Sequence, residues 1–252
     1  MSGSLVCVGT GMLLGGHLTP RARHELEQAD IVLALVYDGL FELWLRELNP
    51  RLESLQPLYR EGQSRRLTYD RMVERLLAHA RAGLRVCGAF YGHPGVFACV
   101  PHEAVRRARA EGIAACLEPG ISAEDCLYAD LGLDPGDFGC QHFEATQFLL
   151  YRRRVDPAAL LVLWQPSIVG DRSRARFQTG PAYRQLLLEA LLRDYPPTHE
   201  AILYRAASSP LEPAHIRRFE LGALPQAQIE QTDTLVLPPV QSMQADTEMR
   251  AR

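Results

Sequence analysis

Tyr91-Gly92-His93-Pro94-Gly95-Val96-Phe97 follows the apolar run Val86 to Phe90 and breaks it with two glycines and a proline. A short apolar run closed by turn residues reads as a buried strand entering a loop. This loop carries a phenol, an imidazole and a phenyl ring, groups suited to holding a ligand. Two other stretches repeat the pattern: Val8-Gly9-Thr10-Gly11 after the run Ser4 to Val8, and Gly120-Ile121-Ser122-Ala123-Glu124-Asp125-Cys126 after Ala114 to Leu117. In a parallel sheet the loops after Val8 and after Phe90 fall at the same carboxyl edge, where α/β folds bind their ligands.

Working outward, short apolar runs alternate with amphipathic stretches, the pattern of βαβ units around a mainly parallel sheet. Strands are expected at Ser4 to Val8, Ile31 to Val36, Val86 to Phe90 and Ala114 to Leu117. Thr19 followed by Pro20 marks a capped helix running to about Gln28. A second helix is expected from Leu67 to Ala82, stopped by Gly83, and a third after Pro101, ending near Gly112. Glu118-Pro119-Gly120 is the expected domain junction, giving domains over 1–118 and 119–240. Ser122 caps the next helix, to about Leu131. Beyond it, strands are expected at Leu160 to Trp164, Ala201 to Tyr204 and Thr234 to Leu237, with a helix from Tyr183 to Asp194. This less regular half predicts a mixed sheet. Residues 241–252 are polar and read as a flexible tail.

The chain has 252 residues, 47% of them apolar, enough for one large or two modest cores. Its net charge is −3, and its 27 basic residues are all arginine, spread along the chain without the sustained patch a nucleic acid requires. Arg152-Arg153-Arg154 reads as a solvated face. The absence of lysine excludes a Schiff-base lysine and a Walker-type phosphate loop. Six cysteines lack C-x-x-C spacing and read as reduced, mostly buried thiols of a cytoplasmic protein. The start, Met-Ser-Gly-Ser-Leu-Val-Cys, lacks the charge and apolar core of a signal peptide, and no run approaches the ~18 apolar residues of a membrane span.

Gly9-Thr10-Gly11 alone is a weak signal. The dinucleotide fingerprint needs a third glycine where Leu14 stands, so hydride-transfer chemistry is disfavoured and a plain tight turn remains open. His93 has no second ligand at metal spacing, which leaves ligand hydrogen bonding or turn stabilisation. Tyr91, Val96 and Phe97 suit stacking on an adenine or contact with a sulfonium. In Tyr59-Arg60-Glu61-Gly62-Gln63-Ser64-Arg65-Arg66-Leu67-Thr68-Tyr69, a helix starting near Ser64 puts Arg65 and Tyr69 on one face. A guanidinium beside a phenol favours phenolate. Tyr69 equally continues the apolar stripe Met72, Val73, Leu76 and Ala80, so spacing leaves a core tyrosine and a catalytic base both open.

Taken together, Gly9-Thr10-Gly11, Leu18-Thr19, Ala29-Asp30, Gly92-His93-Pro94-Gly95 and Ser122-Ala123-Glu124-Asp125 resemble the tetrapyrrole methylase superfamily over nearly the whole chain. The resemblance implies an α/β protein of two domains, the class III methyltransferase type, holding S-adenosylmethionine in a cleft between a parallel and a mixed sheet and releasing S-adenosylhomocysteine. Within it, Phe90 to Phe97, Pro119 to Leu127, Ala129-Asp130-Leu131 and the Tyr59, Arg65, Tyr69 set are similar to the borosin peptide α-N-methyltransferases, which methylate backbone amides of ribosomally made precursors.

The borosin likeness implies Tyr69 as base, Arg65 as the group that holds its phenolate and polarises the amide, and Tyr59 and Tyr91 as positioning residues. Tyr91, His93, Val96, Phe97, Ser122, Ala123, Gln165, Ala206, Asp233 and Thr234 would line the cofactor site, with Asp233 standing where the family often has serine. No metal is implied. Fused members carry the substrate as a C-terminal extension, whereas thirteen residues follow Pro239 here. The expectation is therefore a split enzyme, a homodimer complexed with a separate precursor. Two alternatives stand beside it. Tetrapyrrole C-methyltransferases usually have proline after Gly-x-Gly and aspartate in the later glycine turn, where this chain has Met12 and His93. A non-catalytic module would bind cofactor or peptide without turnover.

Overall fold

The computed structural model describes residues 3–252. Contacts divide them into two units: the first runs to Leu127 and takes in Ala206–Pro213, and the second holds Tyr128–Arg205 and Ala214–Arg252.

The first unit is built in alternation: β1 (Ser4–Gly9), α1 (Pro20–Gln28), β2 (Ile31–Leu35), α2 (Gly39–Leu48), β3 (Leu52–Ser54), α3 (Arg65–Arg81), β4 (Arg85–Phe90), α4 (Cys99–Ala110) and β5 (Ala114–Glu118). The five strands form one sheet in the order β3-β2-β4-β1-β5, every pair parallel. Parallel sheets need cover on both faces, and side chains alternate to provide it. Leu5, Cys7, Leu33, Val86 and Phe90 pack with Met72, Leu76, Ala104 and Ala108 of α3 and α4. Val8, Val32, Ala34, Cys87 and Ala89 pack with Leu26, Phe41 and Leu45 of α1 and α2. The chain thus leaves β1 for one face and β4, its neighbour, for the other. Both loops leave the carboxyl edge of the sheet, the position at which such sheets bind ligands.

The four expected strands of this sheet are present, and β3 is a fifth. Helix α1 starts where Thr19 and Pro20 predict, with Thr19 Oγ1 accepting from Ala22 N at 3.1 Å. Helix α3 begins at Arg65, two residues before the expected Leu67. Helix α4 begins at Cys99, ahead of Pro101, because proline is tolerated in a first turn whose N–H groups have no helical partner.

After β5 come α5 (Ala123–Leu131), α6 (Pro135–Phe138), β6 (Cys140–Glu144), α7 (Ala145–Leu150), β7 (Leu160–Trp164), α8 (Pro181–Leu191), β8 (Glu200–Arg205), β9 (His215–Glu220), β10 (Thr234–Leu237) and α9 (Thr247–Arg250). The second sheet has the order β6-β7-β10-β8-β9, and it is mixed, as expected: β6 and β7 are parallel and the other pairs antiparallel. Leu161, Leu163, Leu203 and Leu235 of this sheet pack with Leu187 and Leu191 of α8. Strands β6 and β9 are additions to the sequence reading, as is the single turn of α9 within the polar tail. Among the described residues no helix is long and apolar enough to cross a membrane.

Candidate functional site

In the first unit the three glycine loops meet backbone to backbone. Thr10 N donates to Phe90 O at 2.8 Å, and Gly11 and Gly92 exchange hydrogen bonds of 3.1 and 2.9 Å. A β-carbon on Gly9 would stand 2.4 Å from Gly92 O, and one on Gly120 2.5 Å from the same oxygen. Glycine at 9 and 120 is therefore a requirement of close approach. The result is a cradle at the carboxyl ends of β1, β4 and β5 whose floor is main chain.

The loop after β4 is held in shape by its own histidine. Gly95 N donates to His93 Nδ1 at 2.9 Å, which leaves the proton of the neutral ring on Nε2. His102 Nε2 donates to Gly95 O at 3.0 Å and fastens the loop to α4. Phe97 lies in the left-handed region at φ +48° and is 54% exposed. That conformation costs a non-glycine residue about 1–3 kcal/mol and is concentrated at functional sites. Across the loop after β5, Ser122 and Asp125 form a reciprocal cap: Asp125 N donates to Ser122 Oγ at 3.2 Å, and Ser122 N to Asp125 Oδ2 at 2.7 Å. Ala123 opens α5 on that cap, and Ala206 is buried in the same unit.

The phenols gather beside α3. Arg65 is its first residue and Tyr69 lies one turn on. Tyr59 follows the short helical turn Gln56–Leu58, and its ring meets that of Tyr69 edge-on at 6.2 Å and 86°. Burial holds the Tyr59 phenol well above the usual range, and the charges of Tyr69 and Tyr91, a hydrogen bond with Tyr69 and the Cys99 thiol push in the same direction. Tyr59 thus keeps its proton and donates it toward Tyr69. Burial, then Tyr69, Cys99 and Tyr37, also raise Tyr91, although 48% of its surface is accessible and water tempers the push. The first turn of α3 has no acidic residue and Ser64 makes no side-chain cap bond, yet Arg65 and Arg66 both sit there. Cations at a helix N-terminus oppose the macrodipole, at about 0.3–1 kcal/mol each. What this arrangement provides is a positive field where Tyr69 would carry negative charge.

Cys99 was not legible as part of this group. Only Cys7 and Cys87 of the six thiols are buried, and Cys99 is exposed at the start of α4. Its apolar neighbours in the sequence mislead, because Val100 and Pro101 turn inward there while Cys99 does not.

In the second unit, exposed Gln165 ends β7 in the left-handed region at φ +57°. Trp164 before it stacks on His142 at 6.2 Å and donates Nε1–H to its Nδ1 at 3.4 Å. Thr234 is buried at the start of β10. Asp233 is 4% exposed; its Oδ2 accepts from Glu230 N at 2.8 Å, and Arg205 lies 3.8 Å from Oδ1. Oδ1 has no hydrogen-bond partner among the described residues. An unsatisfied buried carboxylate oxygen is costly, and a ligand hydroxyl or amino group would satisfy it.

Residues 4–225 match the family of tetrapyrrole (corrin/porphyrin) methylases. A methyltransferase/ribosomally synthesized type I borosin cyclic peptide precursor of Coprinopsis marcescibilis is 41% identical over 94% of this chain and 62% of its own length. The methyltransferase/omphalotin A precursor of Omphalotus olearius is 36% identical over 94% of this chain and 58% of its own. The chain thus spans about three-fifths of those two relatives. Among solved structures, uroporphyrin-III-C-methyltransferase from Thermus thermophilus superposes with a TM-score of 0.68 at 25% identity, covering 95% of this chain and 94% of that one. The same enzyme complexed with S-adenosyl homocysteine gives 0.65 at 21% identity, a likeness of fold.

Proposed function

Because the chain belongs to the tetrapyrrole methylase family, we propose that it is an S-adenosylmethionine-dependent methyltransferase acting on backbone amides of a ribosomally made peptide. The observation that carries this reading is the Arg65, Tyr69 and Tyr59 group on a helix start stripped of acidic residues. The curated relatives are named as methyltransferases joined to ribosomally synthesized peptide precursors, which supports this reading over tetrapyrrole C-methylation.

The main-chain floor formed by the glycine loops suits a ligand held by backbone groups; in the second unit Asp233 Oδ1, which faces Arg205 at 3.8 Å but accepts no hydrogen bond among the described residues, suits a hydroxyl or amino donor such as a nucleoside carries. We assign donor binding to Tyr91, His93, Val96, Phe97, Ser122, Ala123 and Ala206 of the first unit; in the second unit Asp233 and Thr234 are buried and Gln165 is exposed. His93 would offer its Nε2–H. S-adenosylmethionine supplies an electrophilic methyl group and leaves as S-adenosylhomocysteine.

The chain's own residues address the harder half of the reaction. An amide nitrogen shares its lone pair with the carbonyl and holds its proton tightly. Tyr69 Oη as phenolate takes that proton, and the freed pair forms the bond to the methyl carbon. Arg65 stabilises the charge that gathers on the amide oxygen. Tyr59, protonated, supports the phenolate by hydrogen bonding, and Tyr91 places the reactants.

The test is incubation with S-adenosylmethionine and the peptide encoded beside the gene, supplied as a separate chain, with fragmentation mass spectrometry. Successive +14 Da steps on backbone nitrogens are expected. Methylation of a tetrapyrrole with none on peptide overturns the reading. The expectation of a separate precursor and of a homodimer is put to the same samples: the peptide is also supplied joined to the enzyme's C-terminus, and light scattering reads the assembly.

A further inference from the structure

Resting on the reading of Arg65 and Tyr69 as the reacting pair, one cluster beside them has no part in the chemistry so far. Thr68 is 1% exposed, a polar side chain placed among the core residues of α3. Gln63 Nε2 donates to Thr68 Oγ1 at 2.7 Å, and Thr68 Oγ1 donates to Leu58 O at 3.4 Å. Gln63 Nε2 also reaches Leu58 O at 3.4 Å, while its Oε1 accepts from Arg71 Nη1 at 3.1 Å. The bonds close on themselves: a helix hydroxyl, a loop amide and a loop carbonyl, with Arg71 orienting the amide from three residues further along the helix.

The registers explain what the cluster is for. Leu58 immediately precedes Tyr59, and Thr68 immediately precedes Tyr69. A grip between the hydroxyl of 68 and the carbonyl of 58 therefore fixes the two ring-bearing residues against each other, and those rings meet edge-on at 6.2 Å. Gly62 has φ +80° and open space around its α-carbon, and Ser64 leaves the helix start uncapped. A loop with a glycine hinge and no cap needs a side-chain fastening to hold one conformation.

We infer that Gln63 and Thr68 are positioning residues for methyl transfer, a clamp on the Leu58 carbonyl that holds Tyr59 in place to donate to Tyr69. Neither touches the reacting atoms. Thr68→Val keeps the branched shape and removes the hydroxyl, and Thr68→Ser restores it. With the full-length protein, S-adenosylmethionine and the neighbouring-gene peptide, Thr68→Val is expected to lower kcat on the order of 10- to 100-fold, the scale of a small misplacement. KM for the peptide should stay unchanged, and the acid limb of the kcat–pH profile should move to higher pH as the phenolate loses its donor. Thr68→Ser should recover both. Wild-type kcat in Thr68→Val, an unmoved acid limb, or an equal loss in Thr68→Ser overturns the inference.

Hydrogen–deuterium exchange separates this from the functional reading. Amides 58–64 should exchange faster in Thr68→Val and at the wild-type rate in Thr68→Ser. If the wild type methylates no peptide but the exchange follows this pattern, the functional reading fails and the clamp stands; unchanged exchange overturns the clamp whatever the activity.

Discussion

At the scale of single residues, the proposed reaction would place different demands on neighbours of the same kind. Tyr59 and Tyr69 are both partly buried phenols packed on one core, yet burial and its neighbours keep the proton on Tyr59. Tyr69→Phe and Arg65→Ala should each lower kcat by about 10²-fold or more, while calorimetry shows peptide binding retained; near-normal rates in both would make this helix face structural. Gly9→Ala is expected to act differently. Its β-carbon would meet Gly92 O at 2.4 Å, so the backbone must move, at about 1–3 kcal/mol. Loss of S-adenosylmethionine affinity by calorimetry, with a lowered Tm, is the expected result. The Arg65 and Tyr69 spacing was legible because helical periodicity is local. The Tyr59 contact, the Cys99 neighbour and the orphaned Asp233 oxygen were not, since each depends on segments that meet only in the fold.

Among elements, legibility followed the strength of local signals. Thr19-Pro20 set the start of α1 to the residue, and Ser122 with Asp125 set that of α5. Helix α2 escaped notice although Phe41, Trp44, Leu45 and Leu48 recur at helical spacing and pack on one core, because Leu40 and Leu43, 59% and 63% exposed, fill the gaps between them and blur the stripe in the sequence. Strand β9 lies at a sheet edge, and its alternation is broken because Arg217 shares the half-buried face with Phe219 while Ile216 faces the open side. The cap of α2 offers a check that does not involve the site. Asp38 Oδ1 accepts from Phe41 N at 2.9 Å, and Asp38→Ala should cost about 1 kcal/mol. A fall in Tm of about 2–4 °C is expected for a chain of this size, read by circular dichroism.

For the whole molecule, the titrating groups displaced by folding set how stability depends on pH. Hydrogen bonds from Arg106 and Arg107 hold Glu103 at about 2, and Arg81 lowers Glu74 and Glu111. A depressed carboxyl contributes stability above its unfolded pKa of about 4.3 and loses it as pH falls through the folded value. These groups are solvent-exposed, so water and salt screen their ion pairs and the acid loss should be shallow.

The alkaline side is different in kind. Burial raises the thiols of Cys7 and Cys87 and the phenols of Tyr59 and Tyr195. An acid whose folded pKa is raised binds more protons in the native than in the unfolded state once pH passes the unfolded pKa, so stability falls as pH rises. The unfolded values are about 8.5 for thiols and about 10 for phenols. Urea unfolding should therefore give a plateau between about pH 5 and 8 and a steep decline above about pH 9. Cys87→Ala should lower the plateau, because a side chain is lost from the core, and flatten the first part of the alkaline decline, because a buried thiol no longer resists ionisation. An alkaline limb as shallow as the acid one, or one unchanged by Cys87→Ala, would show that water reaches these groups in the folded chain.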